Sequence, residues 1–289
     1  MSKRNLLNLG LLVFIIILIA LVIYEPGKNV AAIPPTLTSL KTNNINHIKI
    51  NRHNSKDNEQ IIELEKNDGS WMMLKPHSVA ANTFRIEPIL KLLSTVSFSQ
   101  NSLAGLDPST FGLDNPAITI TFNNKTSVVF GHNKSLKHHR YVQVGSTLHL
   151  IADTFLYQLT AKSESYISHK LLTDNSKIIK LSLPSFSLKN TEGNWALTPK
   201  DENISADSIN QLISEWNLSQ AYDINKVKLR PTNKPDVSIE FKNNKTIRFN
   251  IEKNEDSFNL INIDSGVRYI LSSDRKDKLL KLSNISHDD

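Results

Sequence analysis

The chain of 289 residues contains no cysteine. Disulfide bridges, thiolate metal sites and cysteine nucleophiles are therefore excluded together. The same absence excludes a lipid-modified cysteine behind the apolar N-terminal run. This composition permits an oxidising compartment but does not require one.

The sequence also lacks the short motifs that identify common enzyme classes. We find neither G-x-S-x-G nor S-x-x-K in a supporting context, and neither H-E-x-x-H nor a P-loop occurs. We therefore expect no enzymatic activity and no cofactor. A triad assembled from remote Ser, His and Asp residues is an alternative that motif spacing does not address.

Runs of basic residues are missing as well, although the formal net charge is +6. Residues 33–172 carry fourteen basic and ten acidic residues, whereas residues 173–289 carry seventeen of each. A dispersed excess of this size is typical of a solvated surface and differs from the clustered patch that binds nucleic acid. We therefore expect no nucleic-acid partner.

One long apolar run is present, over residues 6–24, and Asn8 is its only strongly polar residue. About 20 apolar residues at a rise of ~1.5 Å match the ~30 Å hydrocarbon core of a bilayer. Tyr24 stands where an interfacial aromatic is expected, and Pro26-Gly27 ends the helix. Residues 1–25 therefore predict a single transmembrane helix, with the lipid bilayer as its partner.

The charges around this run predict its orientation. Lys3 and Arg4 precede it, whereas Glu25 and Lys28 nearly cancel behind it. By the positive-inside rule the N-terminus is cytosolic and the bulk of the chain is periplasmic, held at a bacterial inner membrane. A cleaved signal peptide is the alternative, because Val30-Ala31-Ala32 offers small residues for cleavage. The run exceeds the usual signal core of ~7–15 residues, which favours a permanent anchor.

Behind the anchor, residues 26–40 are rich in Pro and predict an extended linker. One arrangement then occurs twice, over residues 41–172 and over residues 173–289, which end in a short polar tail. In each copy a Trp, Trp71 or Trp195, stands ahead of a helical stretch. The sequence therefore predicts two tandem repeats.

The two helical stretches share a cap and an apolar stripe. Asn82 and Ser205 are favourable N-caps. Apolar residues follow at i, i+3, i+4 and i+7, namely Ile86, Ile89, Leu90 and Leu93, and then Ile209, Leu212, Ile213 and Trp216. Each stretch predicts an amphipathic helix with one buried face.

Two hairpins follow each helix. Residues 115–131 and 234–250 alternate apolar and polar side chains and share Asn-Asn-Lys-Thr at the turn, while residues 140–151 and 258–271 bend at Gly-Ser and Ser-Gly. Further strands are predicted ahead of each Trp. The pattern predicts an α+β fold: an N-terminal transmembrane helix followed by two tandem repeats of mainly antiparallel sheet with amphipathic helices.

The most specific segment is FGLDNPAITITF at residues 111–122, in which Phe-Gly-Leu-Asp-x-Pro precedes a strand. GSWMMLKP at residues 69–76 and RYVQVGSTLHLI at residues 140–151 accompany it. Together these segments resemble bacterial proteins of the domain-of-unknown-function 4340 family, up to about residue 172 and more loosely beyond. Physically, Gly112 permits a backbone conformation closed to other residues, and Pro116 marks a strand start.

The resemblance implies a membrane-anchored, envelope-facing protein with no established enzymatic activity, and it supplies no catalytic residues. Some members are associated with ABC-type export or gliding-motility-like systems. The resemblance therefore also implies an accessory role beside a membrane complex.

Two groups of side chains are candidates for chemistry. His132, His138 and His139 lie close together and suit Zn, Cu or anionic head groups. Their segment connects two strands, it lacks a carboxylate, and its counterpart in the second repeat has no histidine, which favours a solvated loop. Trp71 and Trp195 suit ligand stacking, but their equivalent positions favour core anchors.

The leading hypothesis is a single-pass, membrane-anchored envelope protein that acts as a non-enzymatic interaction or accessory module on an envelope protein partner. One alternative is a periplasmic hydrolase or metal-dependent enzyme that uses the histidine loop. Another is a glycan- or lipid-binding module that uses the Trp residues.

Overall fold

The computed structural model describes residues 3–24, 34–55, 60–134, 138–172, 177–228 and 234–282. The alternative cleavage site, most of the predicted linker and the polar tail lie outside the described residues. The predicted boundary between residues 172 and 173 borders another such stretch. The division into domains at that point therefore stays a prediction.

Near the N-terminus, α1 (Lys3–Tyr24) is a helix of 22 residues in a unit of its own, Met1–Pro35. None of its residues is buried. At ~1.5 Å per residue it is about 33 Å long, which matches the hydrocarbon core of a bilayer. Among the described residues it is the one helix long and apolar enough to cross a membrane.

The second unit, Thr36–Asp289, contains two antiparallel sheets. The strands of the first are β1 (His47–Arg52), β2 (Ile61–Asn67), β3 (Ser70–Lys75), β4 (Val79–Ala80), β5 (Ser99–Ser102), β6 (Ile118–Phe122), β7 (Thr126–Lys134), β8 (His139–Val144) and β9 (Thr147–Ala152). They are ordered β4-β3-β2-β1-β6-β7-β8-β9-β5. Thr36 bridges Val96 and Leu37 is buried, so the chain already packs within the stretch predicted as linker.

The second sheet repeats this arrangement. Its strands are β10 (Ile178–Ser182), β11 (Ser187–Thr191), β12 (Asn194–Thr198), β13 (Asp223–Lys226), β14 (Val237–Phe241), β15 (Thr246–Glu252), β16 (Ser257–Asn262) and β17 (Val267–Ser272). The order is β12-β11-β10-β14-β15-β16-β17-β13, which matches the first sheet strand for strand once β4 is removed. The predicted α+β fold with two sheet units is confirmed.

The helices begin where the sequence predicts. In α2 (Thr83–Lys91) the Asn82 side chain accepts a hydrogen bond from the Phe84 N–H, and in α4 (Ala206–Leu218) the Ser205 hydroxyl accepts one from the Ser208 N–H, both at 3.1 Å. The faces that they bury hold Ile86, Ile89, Ile209, Leu212 and Trp216. Two shorter helices, α3 (Leu156–Leu159) and α5 (Arg275–Leu280), follow the last hairpins. Each sheet with its two helices is called a lobe below.

Alternation along the strands places the core on one face of each sheet. In β6 and β14 every second residue is buried, as expected for a half-buried strand. In the second lobe, fully buried Trp216 donates its Nε1–H to the Leu279 carbonyl at 2.9 Å. Its ring lies 6.1 Å from that of Phe249 between centroids. This contact ties α4, α5 and the sheet together.

Two strands have no apolar signature in the sequence. β5 and β13 follow the long helices, and their sequences are SQNS and DINK. They pair with β9 and β17 at the far edge of each sheet. The sequence analysis did not predict them, because a polar edge strand shows no alternation.

The Phe-Gly-Leu-Asp-x-Pro segment forms a turn that is seated on β7. A 3₁₀ helix, Pro108–Phe111, ends at Gly112, whose φ of 69° is left-handed. A Cβ at Gly112 would lie 2.2 Å from the His132 ring, and one at Gly131 would lie 2.2 Å from the Phe111 carbonyl oxygen. The two glycines therefore permit the close approach, and half-buried Pro116 leads into β6.

Replacing Gly112 by Ala is expected to lower the free energy of unfolding by about 1–2 kcal/mol through the strain of left-handed backbone, and further because the added Cβ meets the His132 ring. Gly145→Ala is the matched control, since its φ is 57° and an added Cβ meets nothing within 4 Å. Denaturant unfolding of the full chain measures both. We expect Gly112→Ala to lose more stability, and His132→Ala in that background to recover the difference. Equal losses would contradict close packing of His132 on Gly112.

Candidate functional site

The two lobes are joined by residues 166–172, which we call the tie segment because its backbone pairs with both. The Asn82 N–H donates to the Tyr166 carbonyl at 2.8 Å on the side of the first lobe. The Ala221 N–H donates to the His169 carbonyl at 2.8 Å on the side of the second. Isolated bridges at Ile167 and Lys170 continue this alternation. The tie segment therefore positions one lobe against the other through backbone hydrogen bonds.

Two open cavities lie along the tie segment, with volumes of 460 and 430 Å³. Asn82 and His169 line both of them. Trp71, Phe84 and Gln220 contribute to the larger, and the smaller is lined further by Arg85, Lys162, Glu164, Asp223 and Asn225. We call the pair of cavities the interlobe cleft. Ligand sites commonly occupy such junctions.

The charges that line the smaller cavity are balanced. Arg85 and Lys162 supply two positive charges, and Glu164 and Asp223 supply two negative ones. Glu164 also lies 3.9 Å from the Lys226 ammonium. A site of this composition does not favour an anion such as phosphate over a neutral polar group. It suits a ligand that presents both donors and acceptors.

His169 lies at the wall that the two cavities share. Its Nδ1 is 2.8 Å from the Ala221 carbonyl oxygen. Because a carbonyl can only accept, Nδ1 donates, and neutral His169 presents Nε2 as its acceptor. The hydrogen bond to Ala221 therefore lets the second lobe fix the orientation of a ring that lines the cleft.

Apolar side chains stand exposed beside the cleft. Phe84, at the start of α2, lines the larger cavity and is 84% exposed. Leu218 is 72% exposed and Tyr222 is 64% exposed. These two flank the cleft-lining Gln220 in the chain, and Asp223 follows Tyr222 directly. Large apolar side chains at a junction are typical of surfaces that contact another protein.

A second contact between the lobes involves His77, which follows β3. Its Nδ1 donates to the Ser265 carbonyl in the β16–β17 turn at 2.9 Å. Its Nε2 is buried without a hydrogen-bond partner among the described residues. Burial lowers the pKa of His77 below its usual value and Lys226 acts in the same direction, while the Ser265 hydrogen bond and Glu164 oppose them.

The three histidines of the candidate metal loop have separate surroundings. His132 is exposed against Gly112, and exposed His138 takes a φ of 51° beside the turn. The His139 ring stacks on Phe98 at 4.4 Å between centroids. Within the described ranges, no group of three or more His, Cys, Asp or Glu side chains is placed to hold a metal ion.

The neighbouring Arg140 has a structural partner. Its guanidinium forms two hydrogen bonds with the Asp153 carboxylate, at 2.6 and 2.9 Å, and a third with the Gly131 carbonyl at 2.6 Å. Asn133 donates to the same carboxylate at 2.6 Å. Charge-assisted bonds of this kind join the ends of β7, β8 and β9 beneath the histidines.

A further cavity, of 510 Å³, lies beside the 3₁₀ turn and is not part of the interlobe cleft. Leu106, Phe111, Tyr141 and Leu148 line it. The Lys134 ammonium at its margin is 5.9 Å from the centre of the Tyr141 ring. Polar residues, among them Ser99, Asn101 and His149, complete a mixed lining close to the sequence-predicted histidine loop.

The two Trp residues occupy equivalent strands but differ in exposure. Trp71 on β3 is 5% exposed, packs in the core and also lines the larger cavity of the cleft. Trp195 on β12 is half-buried at the edge of the second sheet. Their roles as core anchors or stacking platforms stay predictions.

The sequence analysis identified two side chains of the cleft, Asn82 as a helix cap and Trp71 as a core anchor or stacking platform. Phe84, His77 and His169 were missed because they belong to no motif and are brought together by the contact between lobes. Phe84 carried a usable signal, since it is a large aromatic on the polar side of the α2 stripe.

Comparison with known families gives one match. A family model described as a domain of unknown function, DUF4340, covers residues 71–236. This range begins at Trp71 and includes the whole tie segment. No curated protein and no solved structure matches the chain significantly.

Lowering the pH below about 6.5 is expected to destabilise the contact between the lobes. Because the pKa of His77 is depressed in the folded chain, the unfolded chain takes up the proton first. The stability is fully present above the pKa that His77 has in the unfolded chain. It is lost as the pH falls towards the lower pKa that His77 has in the folded chain. Burial also lowers the pKa of His149, so this histidine adds a further loss of stability as the pH falls.

Denaturant unfolding of the full chain between about pH 7.5 and about pH 5 measures this loss. His77→Asn keeps a donor for the Ser265 carbonyl without a titrating ring, so its stability should fall less steeply with acid. His53→Asn, at an exposed histidine, should keep the wild-type slope. A wild-type slope in His77→Asn would show that this contact does not respond to pH.

Proposed function

Because the chain belongs to the DUF4340 family, a domain of unknown function, we propose a function from its geometry. The chain is a membrane-anchored, non-enzymatic interaction module whose interlobe cleft holds a segment of a partner protein. The observation that carries this proposal is the cleft itself: two neighbouring cavities with a shared wall at Asn82 and His169, beside exposed Phe84.

The shape and chemistry of the cleft support a polypeptide ligand. Two shallow cavities in succession suit an extended chain that crosses both better than one compact small molecule. A backbone supplies the donors and acceptors that a charge-balanced lining recognises, and an apolar side chain of the partner can pack on Phe84. The partner class is therefore a protein.

The titratable groups of the cleft support binding rather than catalysis. Glu164 lies against Lys226, and His169 is oriented by the Ala221 carbonyl. The hydroxyl that Glu164 does contact, that of Ser163 at 3.2 Å, belongs to a fully buried residue and is not presented to a ligand in the cleft. We propose that the chain has no enzymatic activity and uses no cofactor.

We propose the compartment from α1 and its flanking charges. Lys3 and Arg4 support a cytosolic N-terminus and, with it, two lobes in the periplasm of a bacterial cell envelope. The partner is then an envelope protein. An accessory role beside an ABC-type export system is the specific form that the family resemblance suggests.

Reporter fusions test this topology. A reporter that is active only outside the cytosol, joined after residue 40 or at the C-terminus, should be active at both positions. A cytosolic reporter at the same positions is the matched control and should be silent. Activity of the cytosolic reporter at either position would overturn the orientation.

Site-specific photocrosslinking tests the partner. A photoreactive phenylalanine analogue at Phe84 in the full chain, irradiated in intact cells, should give an adduct of defined mass that contains another protein. The same analogue at exposed Glu255, which does not line the cleft, is the control. An adduct with the mass of two copies of this chain, or equal adducts at both positions, would contradict the proposal.

A further inference from the structure

The outer edge of the second sheet is open at a place where the first sheet is covered. In the first lobe β4 pairs with β3, through Met72 with Ala80 and Met73 with Val79. The counterpart of β3 in the second lobe is β12, which pairs with β11 and ends the sheet among the described strands. The first lobe therefore shows how an additional strand pairs at the equivalent edge.

The other sheet edges carry features that discourage further pairing, and β12 does not. β4 has two residues, β5 has four polar residues, and β13 carries Asp223 and Lys226. β12 has five residues, NWALT, without charge or proline, and its register against β11 has no irregularity. Natural sheets usually protect such edges, so an unprotected one indicates a pairing surface.

The hairpin geometry identifies the backbone groups that this edge presents. A two-residue turn with φ of 54° at Glu192 and 99° at Gly193 joins β11 and β12. The flanking pair, Thr191 and Asn194, therefore exchanges hydrogen bonds. Because such pairs alternate along a ladder, Trp195 and Leu197 direct their N–H and C=O groups away from β11.

We propose that a second copy of this chain occupies the edge, with two β12 strands antiparallel about a twofold axis through Ala196. In this register Trp195 pairs with Leu197 of the second copy, and the converse pair forms by symmetry. All outward groups of both strands then form hydrogen bonds, four in total. A register centred on Trp195 or on Leu197 forms about half as many.

The side chains of β12 complement themselves in this register. Trp195 and Leu197 share one face and are half-buried, so each meets the apolar counterpart on the second copy. Beyond the strand ends, the acidic Glu192 of one copy and the basic Lys200 of the other take matching positions. Lys200 is otherwise paired with Glu202 in an exposed contact, which is a weak interaction.

Disulfide trapping in the full chain tests the register, because the protein has no native cysteine. In the proposed register Ala196 lies opposite Ala196 of the second copy in a non-hydrogen-bonded pair. The Cα atoms of such a pair are ~4.5 Å apart, so a disulfide fits. Ala196→Cys should therefore form covalent dimers under mild oxidation at least about tenfold faster than Asn194→Cys. In the control the two cysteines are four residues out of register, roughly 13 Å apart. The double variant Asn194→Cys/Thr198→Cys should also crosslink.

Charge repulsion tests whether this edge holds the dimer. In detergent, the wild-type chain and Asn194→Lys should have the mass of a dimer. Ala196→Lys places like charges directly opposite and should raise the dimer dissociation constant at least about fivefold. Its unfolding midpoint should match that of Asn194→Lys, because both positions are exposed.

Three results would overturn the proposal. They are a monomeric wild-type chain, equal crosslinking of Ala196→Cys and Asn194→Cys, and a dimer that Ala196→Lys leaves unchanged. This self-association is independent of the interlobe cleft, so loss of the Phe84 adduct and loss of the dimer are separate outcomes.

Discussion

The arrangement of the second unit depends on backbone pairing by the tie segment. Its carbonyls at Tyr166 and His169 accept hydrogen bonds from Asn82 and Ala221, one in each lobe. A backbone hydrogen bond does not depend on the identity of the side chain. The tie segment can therefore hold the two lobes in position although their surface residues differ. The interlobe cleft lies along the tie segment, and its lining comes from that segment and from the residues that flank it.

The two lobes share a common plan, and their edges show where they differ. The strand order is the same in both, since each depends on the same alternation and the same turns. β4 has no counterpart in the second lobe, and there Trp195 is half-buried where Trp71 is covered. A difference of one short strand thus converts a closed edge into an open one.

The family-specific Phe-Gly-Leu-Asp-x-Pro segment has a structural explanation. Gly112 supplies a left-handed residue and, with Gly131, lets a turn lie directly on β7. His139 is followed in the chain by Arg140, whose ion pair with Asp153 joins three strands. The histidines that the sequence presents as candidate metal ligands therefore take part in packing, stacking and turn formation at this corner of the first sheet.

The sequence by itself determined the apolar helix, the caps at Asn82 and Ser205, the hairpins and the repeat, because each depends on local periodicity or turn chemistry. It did not reveal the edge strands β5 and β13, because these segments are recognisable as strands only from their pairing with a neighbouring strand. The tertiary structure alone decided the cleft, the burial of His77 and the open edge at β12. These features depend on residues far apart in the chain, and local patterns carry no information about such contacts.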